Sequence, residues 1–127
     1  MPENHVFEYA TIRVVPRADR EEFLNVGVVL FCAKPKFLKA IILIDELKLT
    51  TFSSYLDIGE LEENLCAFER ICNGVKEGGP IATLDIASRF RWLTATRSTV
   101  VQTSKVHPGL TIDAERTLNR LYHQLVV

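Results

Sequence analysis

Two separate blocks of the sequence carry side chains suited to chemistry. Guanidinium groups bind phosphate or carboxylate through paired hydrogen bonds, and a neighbouring amide can fix the orientation of such a ligand. The first block supplies these groups as Arg17, Arg20, Glu22 and Asn25. The second block is basic and rich in hydroxyl groups, and its indole offers a flat face for a nucleobase or a guanidinium. It contains Arg89, Arg91, Trp92, Arg97, Ser98 and Thr99.

Each block also has a purely structural interpretation. In the first, Glu22 pairs with an arginine and the Asn25 amide bonds to the backbone where the loop meets the strand, and we favour this clasp over a ligand site. In the second, Trp92 fits the role of a core or interface anchor. Arg89 and Arg91 point about 200° apart on a helix, so they serve one groove only if the helix ends there.

The two blocks form one anion pocket only if the fold brings them together. Arg13 lies on one face of the first predicted strand, opposite the face that carries Ala10, Ile12 and Val14. If the face of Arg13 meets the second block, an anion pocket forms between them. We therefore expect one recognition surface that is shared by residues far apart in the chain.

Three strands are predicted in the first third of the chain. Residues 7–15 alternate between two faces, which is typical of a half-buried strand. Residues 26–33 are almost wholly apolar and predict a central strand covered on both faces, where Gly27 marks a bulge or a close backbone approach. A turn at residues 34–36 leads into a third strand at residues 37–44 that pairs with the second.

Helices account for most of the remaining chain. Asp57 and Glu60 have the spacing of a capping box, so a helix begins there, and Gly74 begins the glycine-rich segment that ends it. Its apolar stripe consists of Leu61, Leu65, Phe68, Cys72 and Val75.

Shorter elements are predicted toward the C-terminus. Residues 86–93 predict a second helix and residues 98–103 a fourth strand, whereas residues 107–109 break the chain. Asp113 begins a last helix whose buried stripe is Ala114, Leu118, Leu121 and Leu125. This order predicts an α+β fold in which an antiparallel sheet of about four strands is covered by about three helices.

The composition is that of one globular domain, residues 1–127. Hydrophobic residues make up 47% of the chain and charged residues 24%. No apolar run reaches the roughly 18 residues of a membrane span, and residues 1–7 lack the pattern of a secretory leader, so we expect a cytoplasmic protein with no membrane partner. We predict that all three cysteines are buried thiols: Cys32, Cys66 and Cys72.

The formal net charge of -1 conceals an uneven distribution. Residues 57–80 carry six acidic and two basic side chains, whereas residues 81–127 carry six basic and three acidic ones. The basic part permits binding of nucleic acid without requiring it. Helices with a solvated charged face explain the same counts, and we favour that interpretation.

The sequence gives no support for metal binding or covalent catalysis. The three histidines are scattered, and no Cys-x-x-Cys or His-Glu-x-x-His spacing occurs. A serine nucleophile needs a base within hydrogen-bond reach, and no pattern places His107 beside Ser98 or Ser104. Gly78 and Gly79 close a helix instead of opening one, so they do not form a phosphate-binding loop. We predict neither a cofactor nor a metal.

Two stretches of sequence resemble a known family. Residues 20–30, Arg-Glu-Glu-Phe-Leu-Asn-Val-Gly-Val-Val-Leu, follow Ile-Arg-Val-Val-Pro at residues 12–16 and resemble the opening motif of the bacterial family called domain of unknown function 3037. Residues 90–98, Phe-Arg-Trp-Leu-Thr-Ala-Thr-Arg-Ser, resemble its C-terminal signature. This signature continues with Gln-Thr-Ser at residues 102–104 and His-Pro-Gly-Leu from His107. The resemblance covers nearly the whole chain.

The resemblance implies a partner but no activity. Many relatives have a small residue at the position of Glu21, which makes Glu22 the better carrier of any shared role. Family members are often encoded beside HipA-like kinases, and a kinase of that type is therefore the implied partner.

The sequence favours a non-enzymatic accessory module that acts through protein–protein interaction and regulates a HipA-like kinase. The alternative is a small enzyme or sensor that binds a phosphorylated ligand or nucleic acid through an arginine-rich pocket. Its candidate residues are Arg13, Arg17, Arg20, Glu22, Asn25, Arg89, Arg91, Trp92, Arg97, Ser98 and His107.

Overall fold

A computed structural model describes residues 3–127 and confirms an α+β fold. Within these residues, five strands form one antiparallel sheet in which the order is β3-β2-β1, and β4 and β5 share the far edge of β1. β4 pairs with residues 12–14 of β1, and β5 pairs with residues 5–9. The strands are β1 (His5–Val14), β2 (Leu24–Cys32), β3 (Phe37–Ile42), β4 (Val101–Thr103) and β5 (His107–Thr111).

The described part of the chain contains four α-helices. Each begins after an aspartate whose carboxylate accepts a hydrogen bond from a backbone N–H three residues later, at 2.7 to 3.1 Å. Such a cap stabilises a helix by about 1 kcal/mol. The helices are α1 (Glu46–Phe52), α2 (Ile58–Asn73), α3 (Ile86–Leu93) and α4 (Ala114–Leu125). The caps are Asp45, Asp57, Asp85 and Asp113. No helix within residues 3–127 has both the length and the apolar character to cross a bilayer.

Helices cover both faces of the sheet, which explains why β2 is apolar throughout. Val29 and Phe31 of β2 pack in the larger core, beneath α1, α2 and α3. Val28, Leu30 and Cys32 face the other way and pack against α4. Both faces of the central strand are therefore buried, as its sequence predicts.

A β-bulge in β2 redirects the side chains at the start of this strand. Ile12 pairs with Gly27 and Arg13 pairs with Asn25, so Val26 is an extra residue without a partner on β1. One inserted residue reverses the alternation of faces, so Asn25 lies on the α4 side together with Val28. The prediction of a bulge near Gly27 is confirmed.

We expect Gly27→Ala to destabilise the protein by about 1–3 kcal/mol. A Cβ atom at Gly27 would lie 2.6 Å from the backbone oxygen of Ile41 and 3.1 Å from the Ile12 side chain. Urea denaturation measures the change. Gly59→Ala is the matched control, because its Cβ would meet no atom closer than 3.5 Å, and alanine favours the α2 helix. A Gly27→Ala variant as stable as the parent protein would contradict the close approach.

Several sequence predictions about individual elements are wrong. Residues 107–109 do not break the chain but begin β5, where Pro108 is tolerated because β5 is an edge strand. The short helix α1 was not predicted, since Leu49 is its one buried residue. The fourth strand begins only at Val101. Cys66 is exposed because it lies outside the buried stripe of α2. The two other cysteines are buried.

Candidate anion-binding site

The fold brings Arg13 and two residues of the second block, Arg97 and Ser98, to one cavity of about 330 Å³, which we call the anion cleft. Arg13 in β1 has Gln102 of β4 as its cross-strand neighbour and Asn25 of β2 on its other side. The loop that leads into β2 and the segment between α3 and β4 close over this end of the strand. The polar and aromatic residues that line the cleft are Arg13, Glu21, Phe23, Arg97, Ser98 and Gln102.

Arg13 is the dominant positive group of the anion cleft. Its guanidinium carbon lies 3.8 Å from the centroid of the Phe23 ring. The Nε atom is buried and has no hydrogen-bond partner within residues 3–127. Burial lowers the pKa of Arg13, yet an arginine stays charged at neutral pH. This partly desolvated cation therefore has hydrogen-bonding capacity that no protein group uses.

Arg97 supplies the second positive group and is held in place by the end of α3. Its Nη1 donates to the Leu93 carbonyl at 3.1 Å, and its Nη2 donates to the Trp92 carbonyl. The guanidinium carbon also lies 4.2 Å from the centroid of the Trp92 ring. Burial lowers the pKa of Arg97, and no carboxylate within residues 3–127 pairs with it. Helix carbonyls thus orient Arg97 without removing its formal charge.

Neutral and acidic groups complete the lining. Gln102 donates from Nε2 to the Thr99 carbonyl at 2.9 Å, and the Ser98 hydroxyl offers a further donor. Glu21 is the one carboxylate among the lining residues. Two guanidinium groups with adjacent neutral donors are the chemistry that holds a phosphate or a carboxylate.

Glu21 adopts a left-handed backbone conformation, with φ of 57°. This conformation strains residues that have a Cβ atom, so a small residue suits the position. We expect Glu21→Gly to raise the free energy of unfolding by about 0.5–1 kcal/mol, as measured by thermal or urea denaturation. The control Glu22→Gly, at the neighbouring position without positive φ, should be destabilising. If Glu21→Gly instead lowers the free energy of unfolding, the Glu21 side chain contributes more to stability than its left-handed backbone conformation costs.

All four residues of the first block lie outside the anion cleft, so the expected surface shared by the two blocks is limited to Arg13 and the second block. Arg17 pairs with Asp19 at 2.6 Å, and Arg20 pairs with Glu22. Arg17, Arg20 and Glu22 of these exposed pairs line a separate cavity of about 320 Å³ beside residues 50–55. The pairing of Glu22 with an arginine agrees with the predicted clasp.

Asn25 takes a different partner from the one that the clasp requires. Its amide donates to the Leu125 carbonyl at the end of α4, 3.3 Å away, and not to the loop-to-strand junction. The bulge turns Asn25 toward α4, and the sequence pattern does not reveal this reversal.

Three other predicted site residues also have partners away from the anion cleft. Arg89 donates to the Ala82 carbonyl at 3.3 Å. Arg91 forms a bidentate pair with Glu8 of β1, at 2.7 and 2.8 Å. The His107 ring lies 5.3 Å from that of Tyr9, its cross-strand neighbour. Arg89 and Arg91 therefore point to different neighbours, as their helical spacing predicts.

The pair of Arg91 and Glu8 predicts a pH-dependent contribution to stability. The hydrogen bonds from Arg91 lower the pKa of Glu8. Because the folded-state pKa is below the unfolded one, the contribution is complete above about pH 4.5 and is lost as the pH falls through the folded-state value. We expect Glu8→Gln to cost about 0.5–1 kcal/mol at pH 7, and less as the solution becomes acidic.

Denaturation of the parent protein and of Glu8→Gln from pH 3 to pH 7 measures this difference. Glu62→Gln on the exposed side of α2 is the control and should change little at any pH. A cost for Glu8→Gln that is independent of pH would show that the ion pair does not contribute.

Sequence reasoning missed Phe23 and Gln102 as lining residues. Gln102 was visible only as part of the family signature, and its position beside Arg13 depends on the register of β4 against β1. Phe23 carries an apolar ring that is still 43% exposed, because it lies against the Arg13 guanidinium at the surface.

Burial raises the pKa of the Cys72 thiol to about 12, which makes it a poor nucleophile.

Comparison with known proteins places the chain in a family without a described activity. No curated protein and no solved structure matches it. One family model matches residues 9–126, nearly the whole chain, and this range includes every residue of the anion cleft. The chain belongs to the family described as Protein of unknown function (DUF3037).

Proposed function

We propose that this protein is a non-enzymatic binding module that recognises a phosphate or carboxylate group in the anion cleft. The observation that carries this proposal is Arg13, a partly desolvated guanidinium that has no anionic partner within residues 3–127. Arg13 forms no ion pair within residues 3–127, so its positive charge is available to an anion in the cleft. Arg97 and Ser98 also line the cleft and provide further donors.

The lining of the anion cleft supports binding more than catalysis. It contains no histidine, lysine or cysteine, and Glu21 is the only carboxylate among its lining residues. A nucleophile such as Ser98 needs a base held within hydrogen-bond distance, and the lining of the cleft offers no histidine or lysine for that role. A sensor or adaptor role therefore fits better than that of an enzyme.

Isothermal titration with inorganic phosphate and with acetate tests the proposal. We expect saturable binding that falls about 10-fold or more in Arg13→Gln, because a hydrogen bond to a charged group contributes about 1.5–3 kcal/mol. Arg116→Gln, an exposed arginine of α4 outside the cleft, is the matched control and should bind as the parent protein does. Absence of saturable binding, or equal binding by Arg13→Gln, would overturn the proposal.

The physiological anion that we propose is a phosphoryl group on a HipA-like kinase, the partner implied by the family resemblance. The support from the site is chemical, since arginine pairs commonly bind phosphorylated side chains. Co-purification with the kinase encoded beside this protein tests the partnership, with Arg13→Gln as the site variant. A protein that stays separate from the kinase at micromolar concentrations contradicts it.

A further inference from the structure

Strand β3 forms one edge of the sheet and is open to solvent along its outer side. Every residue of β3 is at least partly exposed, whereas the strand beside it, β2, is buried from Val26 to Cys32. No strand within residues 3–127 pairs with the outer side of β3. Such an edge presents unpaired N–H and C=O groups to which another strand can bind.

The register of β3 on β2 determines which backbone groups of β3 point outward. Leu43 donates its N–H to the Val26 carbonyl at 2.7 Å, so these two residues form a hydrogen-bonded pair. Because hydrogen-bonded and non-hydrogen-bonded pairs alternate along antiparallel strands, every second residue of β3 directs both backbone groups away from β2. These residues are Leu38, Ala40 and Ile42. No backbone group within residues 3–127 bonds to them from the outer side.

β3 lacks the features that protect many strand edges from pairing. It contains no proline and no bulge, and its one charged side chain, Lys39, pairs with Glu115 of α4 at 2.7 Å. The opposite edge of the sheet is divided between the short strands β4 and β5, and β5 contains Pro108. Prolines, bulges and short strands all hinder the pairing of edges. β3 is therefore the better pairing surface of the two edges.

The charges at the two ends of β3 are complementary when the strand meets a copy of itself. Lys36 comes directly before β3, whereas Asp45 and Glu46 lie just beyond its end, where α1 begins. Neither Lys36 nor Glu46 forms an ion pair within residues 3–127. In an antiparallel pair about a two-fold axis, the basic start of each strand lies beside the acidic end of the other. This complementarity favours a second copy of the chain as the partner.

We propose that two copies of this protein form a symmetric dimer through β3, with Ala40 on the two-fold axis. Ala40 then pairs with the partner's Ala40, and Leu38 pairs with Ile42 of the partner subunit. Each of these pairs exchanges two backbone hydrogen bonds. The side chains of Leu38 and Ile42 both pack against the larger core, so they lie on the same face of the sheet and form apolar cross-strand pairs.

The dimer leaves the anion cleft of each copy open. The cleft lies beside β1 and β4, which are separated from β3 by β2. Pairing through β3 therefore neither covers Arg13 nor depends on the proposed function.

Sedimentation velocity of the whole protein at micromolar concentrations tests the inference. We expect a species with twice the 14.4 kDa mass of one chain. Ala40→Pro should weaken the dimer about tenfold or more, because it removes the N–H donor of each copy on the two-fold axis. The monomer should still fold, since this N–H points away from β2 and proline is tolerated at such positions of an edge strand. Circular dichroism checks the fold.

A charge swap tests the register of the dimer without changing β3 itself. Lys36→Glu and Glu46→Lys should each weaken the dimer about threefold to tenfold, because each places like charges side by side at both ends of the paired strands. The double variant should regain most of the lost affinity. The six residues of β3 separate the two positions by about 20 Å, so this recovery cannot arise within one chain. Lys105→Glu, between β4 and β5, is the matched control and should dimerise as the parent protein does.

Three outcomes would overturn the inference. The first is a parent protein that stays monomeric at high micromolar concentrations. The second is a dimer that a folded Ala40→Pro variant leaves intact, which would place the interface elsewhere. The third is a double charge variant that dimerises no better than the single variants, and this result decides the question by itself if Ala40→Pro does not fold.

Discussion

Phe90→Ala is expected to lower the free energy of unfolding by about 3–5 kcal/mol, the largest stability change among the substitutions considered. Phe90 is fully buried, and its ring stacks on Phe31 of β2 with 5.3 Å between centroids. It anchors α3 to the sheet, and α3 carries Trp92 and the carbonyls that hold Arg97. The alanine variant leaves a cavity at the centre of the larger core.

Urea denaturation of Phe90→Ala and of a matched control measures this effect. Leu47→Ala removes a large apolar side chain that is 78% exposed on α1, so it should change stability by less than about 0.5 kcal/mol. A loss in Phe90→Ala no larger than in Leu47→Ala would show that α3 does not depend on this contact.

Arg13→Leu is expected to weaken anion binding by about 10–100-fold while it raises the free energy of unfolding by about 1 kcal/mol. Leucine preserves the apolar contact with Phe23 and removes the buried Nε that has no partner within residues 3–127. The gain is reduced by the lost cation–π attraction, which contributes about 0.5–1 kcal/mol at exposed sites. Binding residues often lower stability in this way.

Phosphate titration and urea denaturation of the same samples check this prediction. Arg13→Lys is the informative second variant, since it keeps the charge but loses the planar paired donors, and should bind with intermediate affinity. An Arg13→Leu protein that is less stable and binds phosphate normally would assign Arg13 to the structure alone.

The strongest patterns of the sequence predicted the fold correctly. The apolar run of β2 and the spacing of Leu61, Leu65 and Phe68 in α2 report burial directly, and the structure buries these residues. Asp57 and Asp113 were identified as caps because an amphipathic stripe follows each one. The stretch after Asp45 has only Leu49 buried, so local pattern could not reveal α1.

The composition of the anion cleft was only partly predictable. The sequence indicated that Arg13 and the second block could meet, and Arg13, Arg97 and Ser98 do line one cavity. It did not indicate that Arg91 pairs with Glu8, because that contact joins residues far apart in the chain. Register and the bulge in β2 determine such contacts, and neither follows from residue type alone.

The account depends most on the claim that Arg13 and the second polar block form one anion site. Nuclear magnetic resonance during a titration with inorganic phosphate tests it directly, through the side-chain Nε–H of Arg13 and the backbone amides of Ser98 and Gln102. The account predicts that these three signals shift together and saturate at one affinity. Shifts confined to residues 17–22, or no saturable shift at Arg13, would contradict it.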